Sequence, residues 1–219
     1  MHRSGTSCLT GSLQEAGLFL DEIHTWNPHN LKGNRENQSF VDLHDDILAA
    51  NGGAWDNPPR EIVWSPEHVA SARQLMAAHA GRPIFGFKDP RVLLMLEGWQ
   101  KLLPQMEYVG IYRHPNAVAS SLQKRSGKPW EESLELWYTY NSKMFQLYKR
   151  SPFPILCFDD HEAVLDEKMF AVATQLRLEG GTNEEKFYSS ELRSTSDTEA
   201  KPLPWKIRRL YKKLKKVGM

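Results

Sequence analysis

Three short apolar runs limit what this chain can fold into more than any other feature. They are "IFGF" before Lys88, "YVGIY" before Arg113 and "PILCF" before Asp159. Each is too short for a helix and each ends at a charge. Pro90 and Pro115 close the first two, because a proline cannot donate to a sheet ladder. The segments between them carry apolar residues at helical spacing. Strands separated by helices pair in parallel, so the pattern predicts an α/β fold with helices on the faces of a parallel sheet.

The helical segments are marked by their ends. "SCLTGSLQEAG" places Leu9, Leu13 and Ala16 on one face and stops at Gly17. "ENQSFVDLHDDILAANGG" has Phe40, Leu43, Ile47 and Leu48 at helical spacing before Gly52 and Gly53. "SPEHVASARQLMAAHAG" offers Ser65 as N-cap, Pro66 at the first position and Gly81 as stop. "RVLLMLEGWQKLLP", "NAVASSLQKR", "PWEESLELWYTYNSKMFQLYKR" and "EAVLDEKMFAVATQL" read as further helices. The aromatic residues Trp137, Tyr138, Tyr140, Phe145 and Tyr148 read as packing on the second-last of these. Residues 179–204 read as a loop-rich segment, and "WKIRRLYKKLKKV" as a basic amphipathic helix over 205–219. The organisation expected is one α/β domain over 1–178 followed by these two pieces.

Charge and cysteine content narrow the function classes. From Lys201 onward there are eight Lys/Arg and no Asp/Glu, so residues 1–200 hold 20 basic and 27 acidic side chains, a net of −7. That sign disfavours nucleic-acid binding by the body; the basic helix reads as a solvated face, with contact to an acidic partner or a membrane surface as the alternative. No apolar run approaches the ~18 residues of a transmembrane helix. Cys8 and Cys157 stand apart in apolar surroundings without a Cys/His cluster. They read as buried thiols in a reducing, cytoplasmic setting with no metal site.

Open α/β sheets bind ligands beyond the carboxyl ends of their strands, and three polar segments fall at such places. One is the opening turn, where Arg3, Ser4, Gly5, Thr6 and Ser7 precede a helix whose first amides and dipole suit an anion. The second is "KDPR", Lys88 to Arg91. The third is "YRHPNAVASS", where Arg113 ends its run and Ser121 lies eight residues on, within reach of one shared phosphate. Taken singly, each has a plainer reading: an N-cap turn, a strand-ending turn with solvated charges, and a helix-entry pair. An arginine ending an apolar strand is nevertheless costly without an anion.

Together these segments resemble the sulfotransferase family. "HRSGTS" looks like its 5′-phosphosulfate loop, and "YRHPNAVASSL" like its 3′-phosphate motif. "KDPR" is similar to the lysine motif of the bacterial branch and of tyrosylprotein sulfotransferases, and "PILCFDDHEAVLDE" to a strand followed by acidic residues. The likeness covers about residues 2–178 and, more loosely, "SSELRS" and the last helix. It implies a P-loop-like sheet and an enzyme that moves a sulfuryl group from 3′-phosphoadenosine-5′-phosphosulfate to an acceptor hydroxyl or amine. The acceptor would be a small molecule or a glycan, and no metal is required. Arg3 and Lys88 would neutralise the leaving phosphate, the amides of Gly5 to Ser7 would hold the 5′-phosphate, and Arg113 and Ser121 the 3′-phosphate. The general base would be Glu36, with His24 and Glu22 as alternatives; Asp89 would orient Lys88 or touch the acceptor.

The resemblance also implies a strand leading into the opening loop and ending just before His2. Either the natural start lies upstream of Met1 or the chain is a truncated member. Two other functions stay open: a kinase-like phosphotransferase, disfavoured because "SGTSC" lacks G-K-[ST], and a non-catalytic nucleotide-binding or interaction module.

Overall fold

Arg113 and Asp159, the charges that end the second and third apolar runs, follow two strands that pair with each other. In the computed structural model, which describes residues 1–25, 33–82, 84–180, 187 and 201–219, β1 (Gly110–Tyr112) and β2 (Ile155–Cys157) run parallel. Gly110 lies opposite Ile155, Ile111 opposite Leu156 and Tyr112 opposite Cys157. The protein is therefore mixed α/β and mostly helical, with a small two-stranded parallel sheet. The described residues fall into two units, Met1–Ala16 with Tyr108–Met219, and Gly17–Glu107.

The first unit is built on this sheet. α1 (Thr6–Glu15) opens it. α5 (Pro115–Ser126) starts directly after β1: the His114 side chain accepts from the Asn116 amide, Pro115 takes the first helical position, and Gly127 at φ 69° ends the helix. α6 (Trp130–Arg150) puts Glu131 and Glu132 in its first turn and Lys149 and Arg150 in its last, which suits the helix dipole. Its stripe of Leu134, Trp137, Tyr140, Met144 and Leu147 is buried, so the aromatic residues Trp137 and Tyr140 are core, as their spacing implies. α7 (Glu162–Gln175) follows β2. α8 (Trp205–Val217) buries Ile207, Leu210 and Leu214, and its Tyr211 ring meets those of Tyr112, His114 and Trp137.

The second unit holds α2 (Gln38–Ala50), α3 (Pro66–Ala77), a 3-10 turn at Pro90–Leu94 and α4 (Leu96–Leu102). Ser65 caps α3 as its sequence predicts, and His68 closes a reciprocal capping box. The core is aromatic. Phe40 stacks on Phe87 at 4.4 Å, Phe87 lies 4.9 Å from Trp99, and His79 stacks on Phe85 at 3.9 Å.

Two expectations are corrected here. The run before Lys88, expected as a strand over 83–87, makes a single parallel bridge among the described residues, Phe19 to Phe85, with the Gly86 amide donating to Phe19 O at 3.0 Å. Its alternate residues Phe85 and Phe87 are held by ring stacking instead of a ladder. The single helix expected over 91–104 is split, because Asp89 caps a tight first turn and Met95, at φ −115°, interrupts the helical backbone. Of the loop-rich segment 179–204, residues 181–186 and 188–200, with "SSELRS" among them, lie outside the described residues. No described helix is long and apolar enough to cross a membrane.

Candidate functional site

The opening turn is shaped by two left-handed residues. Arg3 has φ 62° and Gly5 φ 86°, and Gly5 serves as the N-cap of α1 with no side-chain cap. A Cβ at Gly5 would lie 2.2 Å from the Phe158 ring, so backbone angle and space both demand glycine. A non-glycine residue such as Arg3 in this region is strained and persists only where its surroundings hold it. The hold is visible: Arg3 Nε donates to Ser121 Oγ at 2.7 Å. Two motifs 118 residues apart thus meet at one point. Ser4 is fully buried, and its Oγ has no hydrogen-bond partner among the described residues.

Arg113 is 4% exposed at the end of β1. Its backbone carbonyl accepts from Trp137 Nε1 at 3.0 Å, and its guanidinium lies 5.2 Å from the Phe158 ring centre. Its Nε lies 3.4 Å from Asp159 Oδ1, while Asp159 Oδ2 accepts from the His114 amide. Asp159 thus supplies an internal anion for the arginine that ends the strand. Burial, and then the like charges of Arg125 and Arg113, lower the pKa of Arg3 from its ordinary value. Arg125 is a participant the motifs did not single out. The signal was there: it lies four residues after Ser121, one helical turn along the same face of α5. The first unit therefore gathers Arg3, Ser4, Arg113, Ser121 and Arg125 around an uncapped helix start. Thr6 and Ser7 form the first turn of that helix.

The second unit gathers the other candidates. Lys88 Nζ donates to Glu36 Oε1 at 2.6 Å and to the Asn34 carbonyl at 2.9 Å, with the two charged side chains 11% and 12% exposed. His24 is close in the chain path: its amide donates to the Glu36 carbonyl at 3.0 Å, and its Nε2 lies 2.8 Å from Gln38 Oε1. Glu22 is exposed. The cation expected to neutralise the leaving phosphate and the expected base are thus partners in an ion pair.

Asp89 lies in a deeper network. Trp99 Nε1 donates to His44 Nε2 at 2.9 Å, and that fixes the proton of His44 on Nδ1, which donates to Asp89 Oδ2 at 2.8 Å. Asp89 Oδ1 accepts from the Arg91 amide and from its Nη1, and Arg91 also pairs with Asp45 at 2.7 Å. Burial works against the charge on Asp89. The hydrogen bond from His44 and the charge of Arg91 outweigh it and hold the carboxyl well below the usual carboxylate range. Asp89 is thus a fixed anchor of the "KDPR" turn. His44, which no sequence motif singles out, is what anchors it.

Neither Cys8 nor Cys157 forms a disulfide. Cys8 is buried; Cys157, expected to be buried, is half-buried because β2 ends at it. Among the described residues no group of three or more His, Cys, Asp or Glu is placed to hold a metal ion. No protein-family model, no curated protein and no solved structure matches this chain.

Proposed function

We propose that this chain is a sulfotransferase on a P-loop-like frame, moving a sulfuryl group from 3′-phosphoadenosine-5′-phosphosulfate to an acceptor hydroxyl or amine without a metal. The observation that carries the reading is the 2.7 Å contact between Arg3 and Ser121 at the head of an uncapped helix. Guanidinium groups drawn partly out of water and toward one another are costly. A bound phosphate relieves that cost, and the buried Ser4 hydroxyl, which has no partner among the described residues, gains an acceptor there. The residues present therefore fit a phosphate-bearing donor.

In this reading Arg113 and Ser121, with Arg125, hold the 3′-phosphate. The amides of Gly5, Thr6 and Ser7 and the side chains of Arg3, Ser4 and Thr6 hold the 5′-phosphate. The donor, when bound, supplies a sulfuryl group on a phosphate leaving group. Such transfers spread charge over peripheral oxygens and depend on positioned cations more than on covalent chemistry. Lys88 is assigned the cation for the leaving phosphate. Glu36 is assigned the acceptor proton, taken at Oε2, because Oε1 is the atom bonded to Lys88. Asp89 acts through position alone, keeping the backbone beside Lys88 in place.

Incubating the chain with sulfur-labelled donor and a panel of phenol, carbohydrate, lipid and peptide acceptors tests this directly. Label should move to one acceptor class. Binding of the desulfated nucleotide with no transfer to any class would leave a nucleotide-binding module, and magnesium-dependent turnover of ATP would favour the kinase-like reading.

A further inference from the structure

α8 carries a charge pattern that the anion site does not use. Ile207, Leu210 and Leu214 are buried within the first unit, so the apolar face of this helix is already covered. The eight basic residues from Lys201 onward are all exposed. Spacing of three and four puts Trp205, Arg208, Arg209, Lys212 and Lys216 along the crest opposite the buried stripe. That crest is about 16 Å long at 1.5 Å per residue. Lys206 and Lys213 flank it and lean over the rings of Tyr138 and Phe145, at 5.2 Å and 5.5 Å from their centres. Among the described residues, Lys206 alone of the eight is held in an ion pair, with Glu135 at 2.7 Å.

We propose that the α8 crest is a docking surface for an anionic phospholipid bilayer. Four observations select a bilayer over an acidic polymer. Six of the eight cations are lysines, whose hydrated point charges suit a diffuse anionic sheet, whereas the guanidinium fork is the better reader of single phosphates. All five crest residues are exposed, so the helix offers a continuous solvent-facing line of cations ending in an aromatic ring. Trp205 is 63% exposed at one end, with the Arg209 guanidinium 5.1 Å from its ring centre; an exposed Trp beside cations is the side chain that settles at headgroup depth. Residues 1–200 carry a net −7, so an anionic surface repels the body and attracts the ridge, which sets one orientation. With its apolar face committed to the protein core, the helix lies on the surface and does not insert. Attachment is electrostatic, aided by one aromatic ring, and needs no nucleotide.

The test is sedimentation of the full chain with phosphatidylcholine vesicles, with and without phosphatidylserine, over a salt series. Binding is expected only to the phosphatidylserine vesicles and is expected to fall steeply as salt rises. Replacing Arg208, Arg209, Lys212 and Lys216 by Gln should weaken partitioning on the order of several hundred-fold, about fivefold per cation. The thermal midpoint should hold, because all four side chains are exposed. Trp205→Ala should give a smaller loss that high salt does not mimic. The proposal is overturned if the wild-type chain ignores phosphatidylserine vesicles at low salt, binds both vesicle types alike, or binds as well after the fourfold change. Binding to polyglutamate or RNA with no vesicle binding would assign the ridge to an acidic polymer instead.

Discussion

Arg3 and Arg91 are both half-buried arginines, and burial alone would make each harder to keep charged. Their surroundings drive them in opposite directions. Beside Arg3 stand Arg125 and Arg113, so burial and like charge together lower its pKa. Against burial at Arg91 stand the charges of Asp89, Asp45 and Glu36, and these raise its pKa. The first unit thus sets Arg3 and Arg125 beside Arg113, which has Asp159 for a partner, near a serine hydroxyl with no partner among the described residues. In the second, Lys88 is matched to Glu36, and Arg91 to Asp89 and Asp45. Matched charge is how a fold steadies a turn. Gathered like charge makes sense when something from outside completes it.

The contrast predicts that substitutions in the second unit act on turnover or stability, and those in the first on nucleotide affinity. The largest effect expected is at Glu36. Glu36→Gln keeps the shape and the contact with Lys88 but removes the basic group, so turnover in a labelled-donor assay should fall by about 10²–10⁴. Donor affinity should barely move, and His24→Ala should be mild. A mild Glu36→Gln beside a dead His24→Ala would pass the role to the histidine. Lys88→Ala should likewise lower turnover far more than affinity, since its charge matters most as the leaving phosphate develops.

Next in size is the buried anchor. His44→Ala leaves the carboxylate of Asp89 short of a partner in a site with no solvent, and denaturant unfolding should show a loss of about 3 kcal/mol. The sign with pH follows from the depressed Asp89. Its contribution is complete above the ordinary carboxylate value of ~3.9 and is lost as pH falls from there toward the lower folded value. Thermal midpoints of wild type and Asp89→Asn should therefore keep a constant gap from pH 7 down to about 4 and draw together below it, the gap closing only in part by pH about 3. Midpoints that stay parallel would mean that Asp89 contributes nothing as an anion.

Much of this frame could be read from short-range signals. The Ser65 cap and the Gly127 stop fix helix ends through chemistry within a few residues. The opening turn announces itself because Gly5 and its neighbours set local backbone and donors together. Pairing across the chain was not readable. The "IFGF" run looks like a strand on its own residues, yet a strand exists only through a partner, and Phe85 finds a single bridged residue in Phe19. The His44–Asp89 contact spans 45 residues and has no sequence spacing to mark it. Arg113 was legible as a strand-ending cation, but its partner Asp159 becomes visible only when β1 and β2 lie side by side.

Smaller effects belong to the first unit. Arg113→Ala should weaken binding of 3′-phosphoadenosine-5′-phosphate by about 1.5–3 kcal/mol, the range for a hydrogen bond to a charged group. Wild-type affinity in that variant would reduce Arg113 to a partner of Asp159. Ser4→Ala should be the mildest. It removes a buried hydroxyl with no partner among the described residues, so the ligand-free chain should melt no lower than wild type, while nucleotide affinity falls by about 0.5–1.5 kcal/mol. A destabilised ligand-free Ser4→Ala with unchanged affinity would make the hydroxyl structural and remove it from the anion site.

The central claim is that the charge gathered around Arg3 is completed by a nucleotide phosphate, and calorimetric titration with 3′-phosphoadenosine-5′-phosphate in the presence of a chelator tests it most directly. Saturable binding to the wild-type chain without metal, weakened by Arg3→Ala, is the predicted result. No heat of binding to the folded chain, or binding that appears only on adding magnesium, would contradict it.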